Sequence, residues 1–327
     1  MTITVHEPSP GVRRISLDAD GVPLSALLAE PAGGAAPRAL VVAVHGGGMN
    51  GAYFDGRAHP DQSLLTLGAR LGLTVLAVDR PGYGDSRALL PDGVGLDEQV
   101  LRLRAAVADF AARHDTGRGV FLLAHSYGGK VALRAAAEPG LPGLLGVEVS
   151  GCGHVYALDP TELSRGVDDR VRLRRSWGPL RLYPPGTFLT LQHMVEPVPP
   201  DESAEFARWP AEFGAVAPRV HVPVRLTFAE HEAWWRHDDA TLADLAARFT
   251  GTPRLTVERQ SAAGHNLSLG RVARAYHLRA LAFLEDCLAA RPTPTETAEP
   301  AGTAEPAGPT VTAAAVHLAG PAPALAD

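Results

Sequence analysis

Apolar and polar positions along the chain first follow a strand pattern and then alternate between strand and helix patterns. Residues 12–31, VRRISLDADGVPLSALLAEP, alternate around a D-A-D-G turn, which predicts a β-hairpin. Two short runs rich in β-branched and aliphatic residues follow at 39–48 and 73–84, separated by a helix-compatible segment at 61–72. This spacing is typical of a βαβ unit, in which the two strands run parallel.

The next two segments extend the alternation. A helical pattern at 96–110 keeps its apolar side chains on one face, and a strand-type run at 119–126 leads into a helix that begins near Tyr127. The apolar face consists of Leu96, Val100, Leu103, Val107 and Phe110. The order predicts an α/β fold with a mostly parallel sheet, helices on both faces and ligand-binding loops at the carboxyl ends of the strands.

An insertion then interrupts the pattern. The strand-type run at 143–151 is not followed by a comparable run until 222–230, and the residues between them are rich in Pro and Arg. This stretch is too long for a plain connection between two elements of an α/β core. We therefore predict a lid over residues 154–221, inserted into a core that comprises residues 1–153 and 222–290.

The core is predicted to end with a helix at 239–249, a strand at 253–260 and a long final helix. The final helix keeps Tyr276, Ala280, Phe283 and Cys287 at helical spacing. Residues 291–327 contain the unit TAEPAG twice and few large apolar side chains. Such a segment buries too little apolar surface to offset its ordering entropy, so we predict a disordered tail.

Composition narrows the possible partners. The chain carries a net charge of -6 with 46% hydrophobic residues, so no basic field attracts nucleic acid, and we expect no nucleic-acid partner. No signal-like start and no apolar run of about 18 residues occur, which predicts a cytoplasmic protein without a membrane span.

Cys152 and Cys287 are far apart, so neither a disulfide framework nor a CxxC zinc or redox site is expected. Lys130 is the only lysine; this arginine bias is typical of a GC-rich bacterial genome.

One serine stands in a context that favours nucleophilic catalysis. Ser126 lies between the small residues Ala124 and Gly128, with a strand-type run before it and a helix pattern after it. A strand, a small-x-Ser-x-Gly turn and a helix form a nucleophile elbow, which presents the hydroxyl at the end of the sheet. The free N–H groups of the helix also favour a developing anion there. The alternative is a serine that only caps a buried helix.

Several motifs resemble those of the α/β-hydrolase superfamily, over residues 12 to 290. They are HGGG at His45 to Gly48, DRPGYGDS at Asp79 to Ser86, AHSYGG at Ala124 to Gly129, and AGHNLSL around His265. The chain departs from the superfamily at Ala124, where glycine is usual. The resemblance implies an α/β-hydrolase fold and chemistry without a metal or an organic cofactor.

The resemblance also implies the partners of the serine. His265 follows the last predicted strand, at the position of the superfamily's catalytic histidine, and would act as the base. The superfamily's acid follows the strand after the lid, commonly in a Gly-x-x-Asp frame. The matching frame, Ala229-x-x-Glu232, points to Glu232, with Glu230 as the alternative.

A tetrahedral intermediate needs backbone N–H donors for its oxyanion. The residue after the nucleophile, Tyr127, is one predicted donor. The second is expected in the HGGG motif, from Gly47, with Gly48 as the neighbouring candidate.

The predicted lid contributes aromatic and basic residues. We expect an apolar acyl pocket lined by Trp177, Tyr183, Phe188, Met194 and, beyond the acid, Trp234. The lid also carries Arg170, Arg172, Arg174, Arg175 and Arg181. These arginines would either bind an anionic substrate or the phosphopantetheine of a carrier thioester, or form a solvated helix face.

These residues together predict a serine hydrolase that cleaves a small carboxylic ester or thioester, either free or carrier-bound, through an acyl-enzyme on Ser126. One alternative is an acyltransferase, cyclase or lyase of bacterial secondary metabolism on the same scaffold. A second alternative is a ligand-binding module without catalysis.

Overall fold

The computed structural model describes residues 7–158 and 169–291. Within these residues, eight strands form one sheet in the order β1-β2-β4-β3-β5-β6-β7-β8. The strands are β1 (Val12–Asp18), β2 (Pro23–Ala29), β3 (Leu40–Val44), β4 (Thr74–Val78), β5 (Val120–His125), β6 (Leu144–Ser150), β7 (Val224–His231) and β8 (Leu255–Gly264). The predicted hairpin is β1 and β2, which pair antiparallel, and β2 pairs antiparallel with β4. The other six strands of the sheet, β3 to β8, run parallel to one another, which confirms the predicted α/β-hydrolase fold class.

Helices cover both faces of the sheet. The α-helices of the described residues are α1 (Leu64–Arg70), α2 (Leu96–Arg113), α3 (Tyr127–Ala136), α4 (Asp169–Trp177), α5 (Thr187–Thr190), α6 (Pro200–Glu205), α7 (Trp209–Val216), α8 (Asp239–Ala247) and α9 (Ala273–Ala289). One apolar core cluster packs α2, α3, α7 and α8 against the sheet, and a second packs α1 and α9 against the other face. The five apolar positions predicted on one face of α2 are all buried. Burial on both faces explains why strands such as β3, LVVAV, read as continuous apolar runs.

One predicted boundary changes in the structure. The last strand extends to Gly264 rather than ending at residue 260, because β7 and β8 resume pairing after an irregularity, at His231 and Gly264. Ala262 adopts a φ of 54° within this extension. The final helix ends at Ala289, close to the predicted end of the core. The predicted disordered tail lies outside the described residues, apart from residue 291.

The segment predicted as a lid contains α4 to α7, and its residues 159–168 lie outside the description. It packs along the carboxyl ends of the parallel strands. Met49, after β3, forms an isolated antiparallel bridge with Val195, and the Asn50 N–H donates to the Met194 carbonyl at 3.0 Å. In the described part of the chain, no helix has the length and hydropathy needed to cross a membrane.

Candidate active site

Ser126 occupies a strained turn between β5 and α3. Its φ of 53° and ψ of -117° lie outside the conformations that most L-residues adopt, and such strain is typical of a side chain held for function. The turn requires small neighbours, because a Cβ at Gly128 would lie 2.3 Å from the Val44 carbonyl oxygen. Ala124, at the position where the superfamily usually has glycine, is a fully buried member of β5.

The Ser126 side chain faces a histidine rather than capping its helix. Within the described residues, its hydroxyl accepts no hydrogen bond from an α3 N–H, which removes the capping role as the reason for this serine. Instead, the Ser126 Oγ lies 3.1 Å from Nε2 of His265. His265 directly follows β8, so parallel strands bring together two residues that are 139 positions apart.

Glu232 completes a continuous hydrogen-bonded chain. Its two carboxylate oxygens lie 2.8 Å and 3.0 Å from Nδ1 of His265. One of them also accepts the N–H groups of Ala233 and Trp234. Burial alone would raise the pKa of Glu232, but the charge and hydrogen bond of His265, the Trp234 N–H and the charge of His237 together hold that pKa below its ordinary value. The carboxylate is therefore ready to orient the imidazole and stabilise its protonated form.

The alternative acid, Glu230, is placed differently. It is the penultimate residue of β7, its side chain is exposed, and it accepts the Ala262 N–H at 2.7 Å. Because the chain turns after β7, with the Glu232 N–H donating to the Ala229 carbonyl, Glu232 is directed at His265 while Glu230 is not.

Two backbone N–H groups are free to receive an oxyanion. Among the described residues, the N–H groups of Gly47 and Tyr127 have no hydrogen-bond acceptor. The N–H of Gly48 is occupied, because it donates to the Tyr83 hydroxyl at 3.0 Å. The structure thus separates the two candidates in the HGGG motif and favours Gly47.

Ser126, His265, Gly47 and Tyr127 line one cavity of about 530 Å³. Trp177 from α4 and Trp234 after β7, two of the five predicted pocket residues, also line it. The Trp234 ring centroid lies 6.4 Å from that of His265. The cavity therefore combines the serine, the histidine and the free N–H pair with aromatic walls that suit an acyl group.

Three residues predicted in the pocket lie elsewhere. Tyr183, Phe188 and Met194 do not line the cavity but pack into the second apolar core cluster or against it. The Tyr183 ring contacts that of Trp177, with centroids 5.1 Å apart, and a Cβ at Gly264 would lie 2.6 Å from its hydroxyl. The lid segment after α4 thus turns these side chains toward the core, where Tyr183 packs beside Gly264, the residue that precedes His265.

This difference yields a prediction for substrate binding. We expect Trp177→Leu to raise KM for an acyl ester by about fivefold, because it removes apolar surface from the cavity wall. Met194→Ala should change KM by less than about twofold but lower the free energy of unfolding by about 2–5 kcal/mol, since it leaves a core cavity. Ester kinetics and urea unfolding of both variants test this. A KM change of equal size in both would contradict the two placements.

The lid arginines are also divided by position. Arg172 lines the cavity, Arg175 donates to the Ala233 carbonyl, and Arg170, Arg174 and Arg181 are exposed. The solvated-face interpretation therefore fits three of the five, and the substrate-facing interpretation fits Arg172.

Sequence reasoning missed a buried ion pair beside the site. Arg80, in the DRPGYGDS loop, donates to the Glu202 carboxylate of α6 at 2.7 Å, and both side chains are at most 2% exposed. The Tyr83 hydroxyl donates to the same carboxylate at 3.1 Å. A Cβ at Gly47 would lie 2.7 Å from Glu202 Oε1, so the lid acid packs against the predicted oxyanion donor. The sequence signal that could have revealed this ion pair is Arg80 itself, a charged residue that follows the apolar strand β4 closely.

Within residues 7–158 and 169–291, no cluster of three or more His, Cys, Asp or Glu side chains is arranged to hold a metal ion.

Residues 41–286 match the Alpha/beta hydrolase family, so the chain belongs to this family. No curated protein matches the sequence. Among solved structures, the chain is similar to a highly thermostable carboxyl esterase from Bacillus coagulans, with a TM-score of 0.62 and 15% identity over 85% of this chain and 99% of the esterase.

Two further structures illustrate the range of chemistry on this fold. The thioesterase domain from the curacin biosynthetic pathway has a TM-score of 0.57 and 14% identity, over 83% of this chain and 99% of that domain. A variant of AqdC, which cleaves the ring of the Pseudomonas quinolone signal, has a TM-score of 0.61 and 16% identity, over 84% of this chain and 99% of that protein. At these identities the likeness shows the fold alone.

Proposed function

We propose that this family member hydrolyses a carboxylic ester or thioester through an acyl-enzyme on Ser126. The observation that carries the proposal is the unbroken chain from Glu232 through His265 to Ser126, with hydrogen-bond distances of 2.8 Å and 3.1 Å. That chain ends in a cavity that also contains two free backbone N–H groups. A binding module would gain nothing from a strained serine aligned with a histidine and a buried carboxylate.

In the first half-reaction, Oγ of Ser126 attacks the substrate carbonyl while Nε2 of His265 takes the hydroxyl proton. The carbonyl oxygen becomes an oxyanion, which accepts hydrogen bonds from the N–H groups of Gly47 and Tyr127. Glu232 stabilises the imidazolium. The imidazolium then returns the proton to the alkoxide or thiolate leaving group as the carbon–oxygen or carbon–sulfur bond breaks.

In the second half-reaction, water attacks the acyl carbon and gives a proton to His265. The second tetrahedral intermediate collapses, the bond to Ser126 Oγ breaks, and His265 returns the proton to the serine. The products are a carboxylic acid and the regenerated hydroxyl. If a second alcohol, thiol or amine replaces water, the same residues transfer the acyl group to it. Product analysis therefore distinguishes hydrolysis from the acyltransferase alternative.

Intact mass after incubation with a fluorophosphonate tests the activated serine. We expect one adduct on the wild-type protein and none on Ser126→Ala or His265→Ala, because both the nucleophile and its base are required. Ser261→Ala and His221→Ala serve as matched controls, since both residues are exposed and lie outside the cavity. No adduct on folded wild-type protein, or an adduct that persists in Ser126→Ala, would contradict the proposal.

A panel of acyl esters and matched thioesters then defines the reaction. Release of free carboxylic acid at the same rate as the leaving group indicates hydrolysis. An acyl product formed on an added acceptor in place of the free acid indicates transfer instead.

A further inference from the structure

The only lysine of the chain is buried in the wall of the proposed active-site cavity. Lys130 lies on α3, is 1% exposed and lines the cavity. Its ammonium donates one hydrogen bond, to the Tyr156 hydroxyl at 3.0 Å. Among the described residues, no carboxylate forms a salt bridge with it. An ammonium has three N–H donors, so two of them have no acceptor among the residues that the structure describes.

Aromatic rings surround this cation without neutralising it. The Lys130 Nζ lies 4.7 Å from the ring centroid of Phe206, 5.0 Å from that of Tyr127 and 5.8 Å from that of Trp209. Such cation–π contacts offset part of the desolvation cost but provide no negative charge. Burial lowers the pKa of Lys130 to about 8, so the amine remains mostly protonated at neutral pH. The charges of Glu202, Glu205 and Glu212 partly offset this effect of burial, but no carboxylate of the described residues forms a salt bridge with Lys130. A buried cation without a salt-bridge partner is costly unless a ligand supplies one.

Lys130 is positioned to contact a molecule bound at Ser126. Ser126 directly precedes α3, and Lys130 lies in the first turn of that helix, four residues later in the chain. Both line the same cavity. One small molecule can therefore react at Oγ and contact Nζ.

A second cation with an unused donor lines the cavity from the lid. Nε of Arg172, on α4, is buried and has no hydrogen-bond partner within the described residues. Among the described residues that line the cavity, the one acidic side chain is that of Glu196, whose carboxylate accepts Nδ2 of Asn50 at 2.9 Å and the N–H of Gly84 at 3.2 Å. The Glu196 carboxylate is therefore already hydrogen-bonded in the cavity wall, whereas Lys130 and Arg172 each keep at least one N–H donor without an acceptor in the described part of the chain.

We propose that the substrate is an ester or thioester that carries a carboxylate, and that Lys130 binds this carboxylate with Arg172 completing the site from the lid. This inference rests on the proposed function for the identity of the reacting bond, but the anion site can be measured without catalysis. A carboxylate fits because it supplies one negative charge and accepts the free N–H groups of a lysine already held by Tyr156.

The test is calorimetric binding to a Ser126→Ala protein, which cannot turn over the ligand. One ligand pair is ethyl hydrogen adipate and its monoamide, which places the anion in the acyl group. The other pair is the butanoyl ester of γ-hydroxybutyrate and its amide, which places the anion in the leaving group. We expect the acid to bind about tenfold or more tightly than the amide in at least one pair. No preference in either pair would overturn the proposal.

Variants assign the preference to the cations. In the Ser126→Ala background, Lys130→Met should remove most of the acid-over-amide preference. Arg172→Met should reduce it, and Arg174→Met should leave it unchanged, because Arg174 is an exposed arginine on the same helix. If circular dichroism shows that Lys130→Met does not fold, the acid-over-amide preference is measured instead in Lys130→Gln, Arg172→Met and Arg174→Met. Equal preference in all variants would overturn the assignment.

The outcomes separate this inference from the proposed function. An acid preference lost in Lys130→Met, together with no fluorophosphonate adduct on the wild-type protein, would support the anion site and contradict the serine hydrolase. An adduct on Ser126 with no acid preference would support the hydrolase and contradict the anion site.

Discussion

Glu232→Gln is expected to lower kcat by about 10³- to 10⁴-fold, whereas Glu230→Gln should change it by less than about twofold. The Glu232 carboxylate accepts from Nδ1 of His265, so it fixes the tautomer in which Nε2 is free to take the serine proton. Glutamine keeps the shape of the side chain but removes the charge that stabilises the imidazolium. Glu230 is exposed and bonded to the Ala262 N–H, so its charge has no such role.

Kinetics on the best ester of the panel measure this difference, with the rate of fluorophosphonate labelling as a second readout. KM should change little in Glu232→Gln, because the carboxylate lies behind the imidazole and does not line the cavity. The two variants form a matched pair, two residues apart and identical in chemistry. A large loss in Glu230→Gln with activity retained in Glu232→Gln would reverse the assignment of the acid.

Glu202→Gln is expected to lower the free energy of unfolding by about 3–5 kcal/mol, because it leaves the buried Arg80 guanidinium without its counter-charge. The same change should lower kcat, since Glu202 packs against Gly47, the predicted oxyanion donor. Loss of one oxyanion donor typically costs about 10²- to 10³-fold, which sets the upper limit of this effect. The lid and the catalytic loop are thus expected to depend on one ion pair.

Urea unfolding and ester kinetics test this prediction together. Glu205→Gln is the control, because Glu205 lies on the same helix but pairs with Arg208, whose side chain is 64% exposed; such a pair contributes at most about 1 kcal/mol. The double variant Arg80→Met, Glu202→Leu should recover much of the lost stability, since it removes both charges. Equal destabilisation in Glu202→Gln and Glu205→Gln would contradict the importance of the buried pair.

Local patterns sufficed to predict most of the core. Runs such as β3 and β5 are apolar throughout because both faces of a parallel sheet are covered, and the α2 pattern repeats at helical spacing because one face is buried. The end of β8 could not be predicted in this way. Its extension depends on pairing with His231, a residue 33 positions away from Gly264, and not on any local signal.

The lid was the least predictable part of the chain. An aromatic residue in an inserted segment can face either the cavity or the core, and composition does not distinguish the two. Trp177, Tyr183 and Met194 all belong to one buried core cluster, but of these three only Trp177 also lines the cavity. The buried position of Glu202 could not be predicted either, since it depends on an ion pair with Arg80, which lies 122 residues earlier in the sequence.

The sequence by itself determined the α/β order, the elbow at Ser126 and the position of His265 after the last strand, because each depends on neighbours along the chain. The tertiary structure decided which of two glutamates contacts His265, which glycine keeps a free N–H and which lid residues reach the cavity. Those choices depend on residues distant in sequence, among them Tyr83 at Gly48 and Ala262 at Glu230. They are settled when strands and loops pack together, since only then does each polar group find its partner.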